Sequence, residues 1–419
     1  MNKSLYIVAF SLAFATTGIA QNNEGQDKVI DLGTQTTTEL RKTQAVSTIY
    51  SDELDKNATT SPYNAIYGLL PGLSVMQNTS WGTDKSRLNV RGRGSLNGDT
   101  PLFVVDGFAR PLEYINLSEI ESISVLKDGA ATALWGGRGA NGVVLITTKR
   151  GIYSQKDIKV DYKFGLGFPV NQPEFADAYT YAKARNEALR YDGLQPDMDE
   201  ASFLSGGNSD LYPNVDWQKE ALRNHTTSHQ LDITFRGGGK RLRYFSVLNY
   251  KNDMGLLNSK YTDYTDRYNS QMKKYFLNLR MNLDVDITDA TKLKLSMLGM
   301  LRETKRPTTS EATLFEQIFN TPSAAFPVQT LNGFWGSNNV LKTNPIANLA
   351  DVGYYKLNQR MLQADLRLVQ DLSVLTRGLS AELAIAYDNN ATYQETAKKS
   401  FMYQTIEKGT DGEPIYTNY

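Results

Sequence analysis

From Tyr275 to Ile287 every second residue is apolar: Tyr275, Leu277, Leu279, Met281, Leu283, Val285 and Ile287. Asn278, Arg280, Asn282, Asp284 and Asp286 fill the gaps. Successive side chains of an extended chain point to opposite faces, so the row predicts a strand with one greasy and one wet face. A soluble sandwich allows such a row, but its length matches a tilted membrane strand of roughly 9–11 residues. The pattern recurs. Val160, Tyr162, Phe164, Leu166 and Phe168 alternate with Lys159, Asp161 and Lys163, and Leu231, Ile233 and Phe235 alternate with Gln230, Asp232, Thr234 and Arg236. Further candidates run from Arg241 to Lys251, Lys292 to Leu301, Met361 to Leu372 and Leu379 to Tyr387.

The connections fall into two kinds. Gly237 to Lys240, Thr288 to Thr291 and Ser373 to Gly378 are short; Pro169 to Thr227, Asn252 to Met272 and Glu303 to Asn358 are long. Short and long alternate along the chain. Outer-membrane barrels have short periplasmic turns and long external loops, whereas a sandwich has no reason to obey that rule.

The N-terminus predicts export. Lys3 supplies a positive start, Leu5 to Ala15 an apolar core and Gly18-Ile19-Ala20 small residues for cleavage. That core is too short to span a bilayer as a helix, and no other run reaches about 18 apolar residues. Gln21, not Cys, follows the cleavage point, so no lipid is expected there. Lys+Arg and Asp+Glu are both 45, so nothing in the charge favours a nucleic-acid partner. With no cysteine, disulfides and thiolate metal sites are impossible. The 24 tyrosines suit interfacial girdles or sugar-stacking loops.

Leu126 to Gly151 holds a short Ala-rich helix, a glycine-dense run and a β-branched strand, Val143 to Thr148. Gly137, Gly139 and Gly142 satisfy G-x-G-x-x-G, but a nucleotide fingerprint needs strand, glycines and then a helix facing the phosphates. Here the order is reversed, and the glycines serve a tight turn with positive φ. Ser61 to Leu70 predicts a capped helix stopped by Pro71-Gly72. Leu73 to Val75, Leu102 to Val105 (turned by Asp106-Gly107) and Ile120 to Val125 predict strands.

Three of these stretches, Leu88-Asn89-Val90-Arg91-Gly92-Arg93-Gly94, Leu102-Phe103-Val104-Val105-Asp106-Gly107 and Leu126 to Gly151, resemble the plug domain of TonB-dependent outer-membrane transporters. The wording Gly-Arg-Gly-Ala-Asn-Gly-Val-Val-Leu-Ile-Thr-Thr-Lys-Arg-Gly is similar to the SusC/RagA branch, with Gly137 where serine is commoner. The resemblance runs from about Val29 to Gly151. It implies a mixed α/β plug followed by an antiparallel transmembrane β-barrel. The expected division is a signal peptide at 1–20, a periplasmic leash at 21–40, a plug at 41–151 and the N-terminal part of the barrel at 152–419. The chain offers about seven strands where plugged barrels of this type have about 22. The barrel is therefore expected to be incomplete, and the leash leaves no room for an added signalling domain.

The resemblance also implies partners and sites. Val29, Ile30, Asp31, Leu32 and Gly33 sit where the family carries its TonB-contacting segment, and could equally form the first plug strand. Arg87, Arg91, Arg93 and Arg138 are expected to pair with carboxylates on the wet faces of the wall: Asp161, Asp232, Asp284 and Asp365. Tyr261, Tyr264, Tyr268, Trp335, Tyr354 and Tyr355 are candidate sugar platforms, against the plainer reading of girdle or loop packing. A SusD-like surface lipoprotein is the implied lid, oligosaccharide the leading substrate and peptide the next. No cofactor or enzyme activity is expected. His225 and His229 have ligand spacing without a third ligand, and Asp197, Asp199 and Glu200 do not form a calcium loop. The competing readings are a truncated, transport-incompetent product and a secreted β-rich adhesin or binding protein.

Overall fold

A computed structural model describes residues 10–11, 29–31, 36–38, 43–56, 59, 61–77, 86–95, 98–170, 172–263 and 268–419. Seven long strands form one antiparallel wall in chain order: β6 (Lys156–Gly167), β7 (Thr226–Gly238), β8 (Leu242–Met254), β9 (Lys273–Asp286), β10 (Thr291–Pro307), β11 (Gly353–Asp371) and β12 (Ser380–Lys398). The mixed sheet inside the preceding plug has the order β1 (Val46–Tyr50), β4 (Ile120–Leu126), β5 (Val143–Thr148), β2 (Leu102–Val105) and β3 (Phe108–Ala109). Only the β5–β2 pair is parallel. Of the expected leader, Phe10–Ser11 is described, paired with Phe164 and Lys163.

The seven wall strands coincide with the seven predicted rows. Register fixes the faces. Leu248 opposes Leu279, Leu279 opposes Gly299 and Gly299 opposes Leu362, so the apolar rows line up on one surface. That surface is open: Ile158, Val160, Leu277, Leu279, Leu301 and Leu366 are all exposed. The opposite surface carries Asp232, Asn249, Asn278, Arg280, Asp284, Ser296 and Asp365, all buried against the plug. Exposed aliphatic rows over a buried polar face reverse the arrangement of a soluble sheet, and match a wall with lipid outside. Several strands outrun their predicted limits. Beyond Leu362 the outward residues of β11 are Arg360, Asn358 and Lys356, so pairing continues where the apolar alternation has stopped.

The plug core packs Ile49, Leu54, Ile66, Leu112, Ile120, Ile123, Val125, Val144 and Ile146. The helix expected from Ser61 to Leu70 is shorter, Pro62–Ala65: the chain leaves helical geometry at Ile66, and Gly68, with a φ of 73°, completes the turn. The long connections fold as well. Helices Ala178–Tyr191, Trp217–Ala221, Glu311–Asn320 and Pro345–Ala350 arise within them, although period-two reasoning predicted nothing there. Three connecting segments share one apolar cluster around Trp217, Leu257, Tyr261, Leu314, Ile318, Phe326, Trp335 and Ile346.

Candidate functional site at the plug and wall interface

The plug meets the wall through paired polar groups. Arg110 follows β3 and is almost wholly buried. Its guanidinium donates to both oxygens of Asp365 on β11, at 2.6 and 2.5 Å, and to Asp388 on β12 at 2.6 Å. Such forked contacts fix orientation as well as charge. Burial works against the charge, and the two carboxylates overcome it, holding Arg110 above its ordinary pKa.

Glu119, fully buried in the plug, receives Arg280 Nε of β9 at 2.5 Å and the amide of Asn278. Arg150, just past β5, donates to Asp284 at 2.7 Å and to Ser296 at 2.9 Å, while its own carbonyl accepts from Arg236. Asn282 reaches Thr148 Oγ1 and the Lys149 carbonyl. Asn249 bridges Ser118 and Asp232, which also receives Asn116. One small apolar contact accompanies them: Tyr114 against Phe276, Leu298, Met300 and Met361.

The Val-Asp-Gly turn after β2 explains its own sequence. Asp106 has a φ of 45° and accepts from the Thr148 amide and hydroxyl, tying β2 to β5. Gly107 has a φ of 90°, and a Cβ there would lie 2.8 Å from Arg367 of β11. The positive φ calls for glycine, and the bare backbone leaves room for the Arg367 guanidinium, which donates to the Asp106 carbonyl at 2.7 Å. In the glycine-dense run Asp128 caps Gly129–Thr132, and Gly142 turns into β5 with a φ of 90° against Val90. No strand-to-helix phosphate cradle exists there.

The arginines expected at the wall do not reach it. Arg87 and Arg93 both hold Asp99, an acid of the plug itself, at 3.0 and 3.1 Å. Arg91 lies in the turn after Arg87–Val90 and lends its charge to Asp128. Arg138 lines a cavity with Arg87, Phe103 and Arg110. Among the described residues none of the four pairs with a wall acid. The contact passes instead to Arg110, Arg150, Glu119 and Asn116, because β3, β5 and the turn before β4 face the seven strands. Asp232, Asp284 and Asp365 do point at the plug, whereas Asp161 lies beside Lys159 and Lys163 of its own strand.

Val29–Asp31 pairs with Thr36–Thr38, and Ile30 is buried against Val46, Val104, Leu126 and Val143; Leu32 and Gly33 lie outside the described residues. Tyr261 and Trp335 are not open platforms. Both are core residues of the loop cluster, with Tyr261 bonded to Glu220. Apolar neighbours brought together from distant connections claim them, which a local reading cannot see. Tyr268 tilts against Tyr354, and Tyr354 lies on the outward face of β11. Tyr355 faces inward under Arg306, 4.2 Å from its ring. Tyr264 lies outside the described residues. His229 packs against Phe164 and Tyr162, and His225 against Phe168, an aromatic patch on the outer face. Among the described residues no group of three metal-ligating side chains forms. Asp197 pairs with Arg185, and Asp199 caps Glu200–Ser205.

Residues 38–143 match the TonB-dependent Receptor Plug Domain family. The chain is 30% identical to the TonB-dependent receptor SusC of Bacteroides thetaiotaomicron over 283 residues, 64% of this chain and 26% of that protein. It is 28% identical to the TonB-dependent receptor P26 of Formosa agariphila over 281 residues, 65% of this chain and 26% of that protein. The chain thus spans about a quarter of the length of these relatives. In fold it resembles the RagAB peptide importer in its open-open state, with a TM-score of 0.70, 19% identity and coverage of 90% of this chain and 44% of that one. With a plug of this kind seated on the wet face of the strands that follow it, the chain is similar to the SusC/RagA-type TonB-dependent receptors.

Proposed function

We propose that the chain belongs to an importer of the outer membrane that takes up a nutrient at the expense of energy delivered through TonB. The plug closes the barrel, and TonB pulls a leash containing Val29 to Gly33. Oligosaccharide is the leading cargo and peptide the next, with a SusD-like lipoprotein as the lid over the long loops. The reading is of a transporter, as in the TonB-dependent receptor relatives.

The observation that carries this is the reciprocal polar seam between plug and wall under an exposed apolar outer face. When plug and wall part, water rehydrates both partners of each hydrogen bond and buried ion pair, so a seam of this kind holds the plug yet lets it separate at a smaller net cost than an apolar contact. Tyr355 and Arg306 on the inward face extend the seam toward the loops.

None of the 419 residues is cysteine, so a pair introduced by Ser118→Cys and Asn249→Cys, whose side chains already touch, can be cross-linked across the seam. Cells producing the transporter are offered labelled oligosaccharides and peptides, before and after cross-linking. Uptake that requires TonB, stops on cross-linking and returns on reduction is the expected result. Deleting Val29 to Gly33 should abolish uptake while outer-membrane abundance stays unchanged. Uptake that continues through a fully cross-linked plug would refute the gating role.

A further inference from the structure

The outward faces of β9, β10 and β11 carry aligned apolar rows that end at Leu277, Leu301 and Leu362. Arg360 stands opposite Leu301, and at the next outward level toward the long loops come Tyr275, Glu303 and Asn358, Glu303 opposing both of the others. The next outward residues are Lys273, Lys305 and Lys356: Lys273 opposes Lys305, and Lys305 opposes Lys356. Like charges directly opposite on one sheet face destabilise it. Here three stand in a row on adjacent strands, spanning about 10 Å at roughly 4.8 Å per strand.

The neighbouring charges compensate only part of this. Lys356 pairs with Glu303 at 3.1 Å, and Glu395 accepts from Tyr354. Lys273 and Lys305 have no ion-pair partner among the described residues, and Lys305 lies over the Tyr354 ring at 5.6 Å. Arg360 adds a further cation on the same face, over Tyr393. The patch is net cationic and continuous with the apolar band. Whatever covers it must be apolar below and anionic above.

Resting on the outer-membrane reading above, we propose that Lys273, Lys305 and Lys356 bind the phosphorylated headgroup of an outer-leaflet lipid, whose acyl chains lie along the apolar rows beneath. A basic side chain near an anionic surface favours association by about fivefold, so the row would hold such a lipid on the order of 100-fold more tightly than a neutral face.

The test uses the transporter purified from outer membranes in detergent, with bound lipid counted by native mass spectrometry. The probes are bisphosphorylated lipid A, the same lipid with its phosphates removed, and inorganic phosphate as competitor. The wild type should retain the phosphorylated lipid and lose it when the phosphates are removed. K273Q/K305Q/K356Q should weaken retention on the order of 100-fold, and K273R/K305R/K356R should restore it. Heat-modifiable gel mobility reports whether each variant is folded. If the triple glutamine variant fails that check, K305Q alone should show the fivefold loss. Equal retention of dephosphorylated lipid, unchanged retention by a folded glutamine variant, or displacement by millimolar inorganic phosphate would each overturn the proposal. So would a second copy of the chain or another protein seated on this face. Absence of the protein from the outer membrane, in contrast, would overturn the underlying reading and not the lysine row.

Discussion

The plug is held to the seven strands, and the long connections are held to one another, by opposite means. The plug uses ion pairs and hydrogen bonds, with one apolar contact at Tyr114. The loop cluster uses Trp217, Leu257, Met272, Phe326, Trp335 and Ile346, all buried, with few charges among them. Polar contacts carry a small net free energy because water offers substitutes, whereas apolar burial is lost in proportion to area. The plug is therefore held by exchangeable contacts, and the long connections are joined by apolar burial.

The sharpest break of this contrast is within the loop cluster. Phe326→Ala removes a fully buried ring that packs against Trp217. The expected cost is about 3–5 kcal/mol. Limited proteolysis should cut the connections 168–225 and 308–352 while the strands stay resistant. Equal resistance of the loops in wild type and variant would show that the cluster is not what holds them.

Nearly as large an effect is expected at Arg280. Arg280→Met leaves Glu119 buried and charged without its partner, at about 3–5 kcal/mol, whereas Arg280→Met with Glu119→Leu removes both charges and should recover most of the loss. Thermal unfolding of the three proteins checks this. A double variant as unstable as the single one would mean that the pair itself, and not the orphaned charge, supports the plug.

What the sequence disclosed follows the same divide. The wall was legible because each strand repeats one binary choice, and Leu277, Leu279 and Met281 declare their face without reference to anything distant. Asp232, Asp284 and Asp365 were legible as wet-face acids for that reason. Their partners were not. Arg87 and Arg110 are indistinguishable in composition, and only the packing of β3 against β11 and β12 selects Arg110. The loop cluster was illegible in kind. Trp217, Phe326 and Trp335 lie far apart in the chain, and the helices that carry Trp217 and Leu314 are too short for a strong helical period.

A smaller effect sharpens the comparison at the turn that joins plug to β11. Gly107→Ala places a methyl group 2.8 Å from Arg367 at a φ of 90°. The expected cost is about 1–3 kcal/mol for the strained backbone. If the seam is exchangeable, plug release measured by accessibility of a cysteine introduced at Ser118 should rise while the loops remain protected. Loops that loosen together with the plug would show that the two regions are one cooperative unit.

The smallest expected effect calibrates both. Asp128 lies in the plug away from either interface, where it accepts from the backbone amides of Ala45 and Ala131. Those two bonds hold its carboxyl below the usual carboxylate range. A carboxylate whose pKa is lower in the folded than in the unfolded state stabilises the fold above the unfolded value of about 3.9, and this share is lost as pH falls through the folded value. Asp128→Ala should therefore cost about 1 kcal/mol at pH 7, as an N-cap does, and the gap to wild type should narrow as pH falls below about 4. Unfolding measured at pH 7 and at pH 3 gives that difference directly. A gap as large at pH 3 as at pH 7 would assign the loss to the altered shape of the residue and not to its charge.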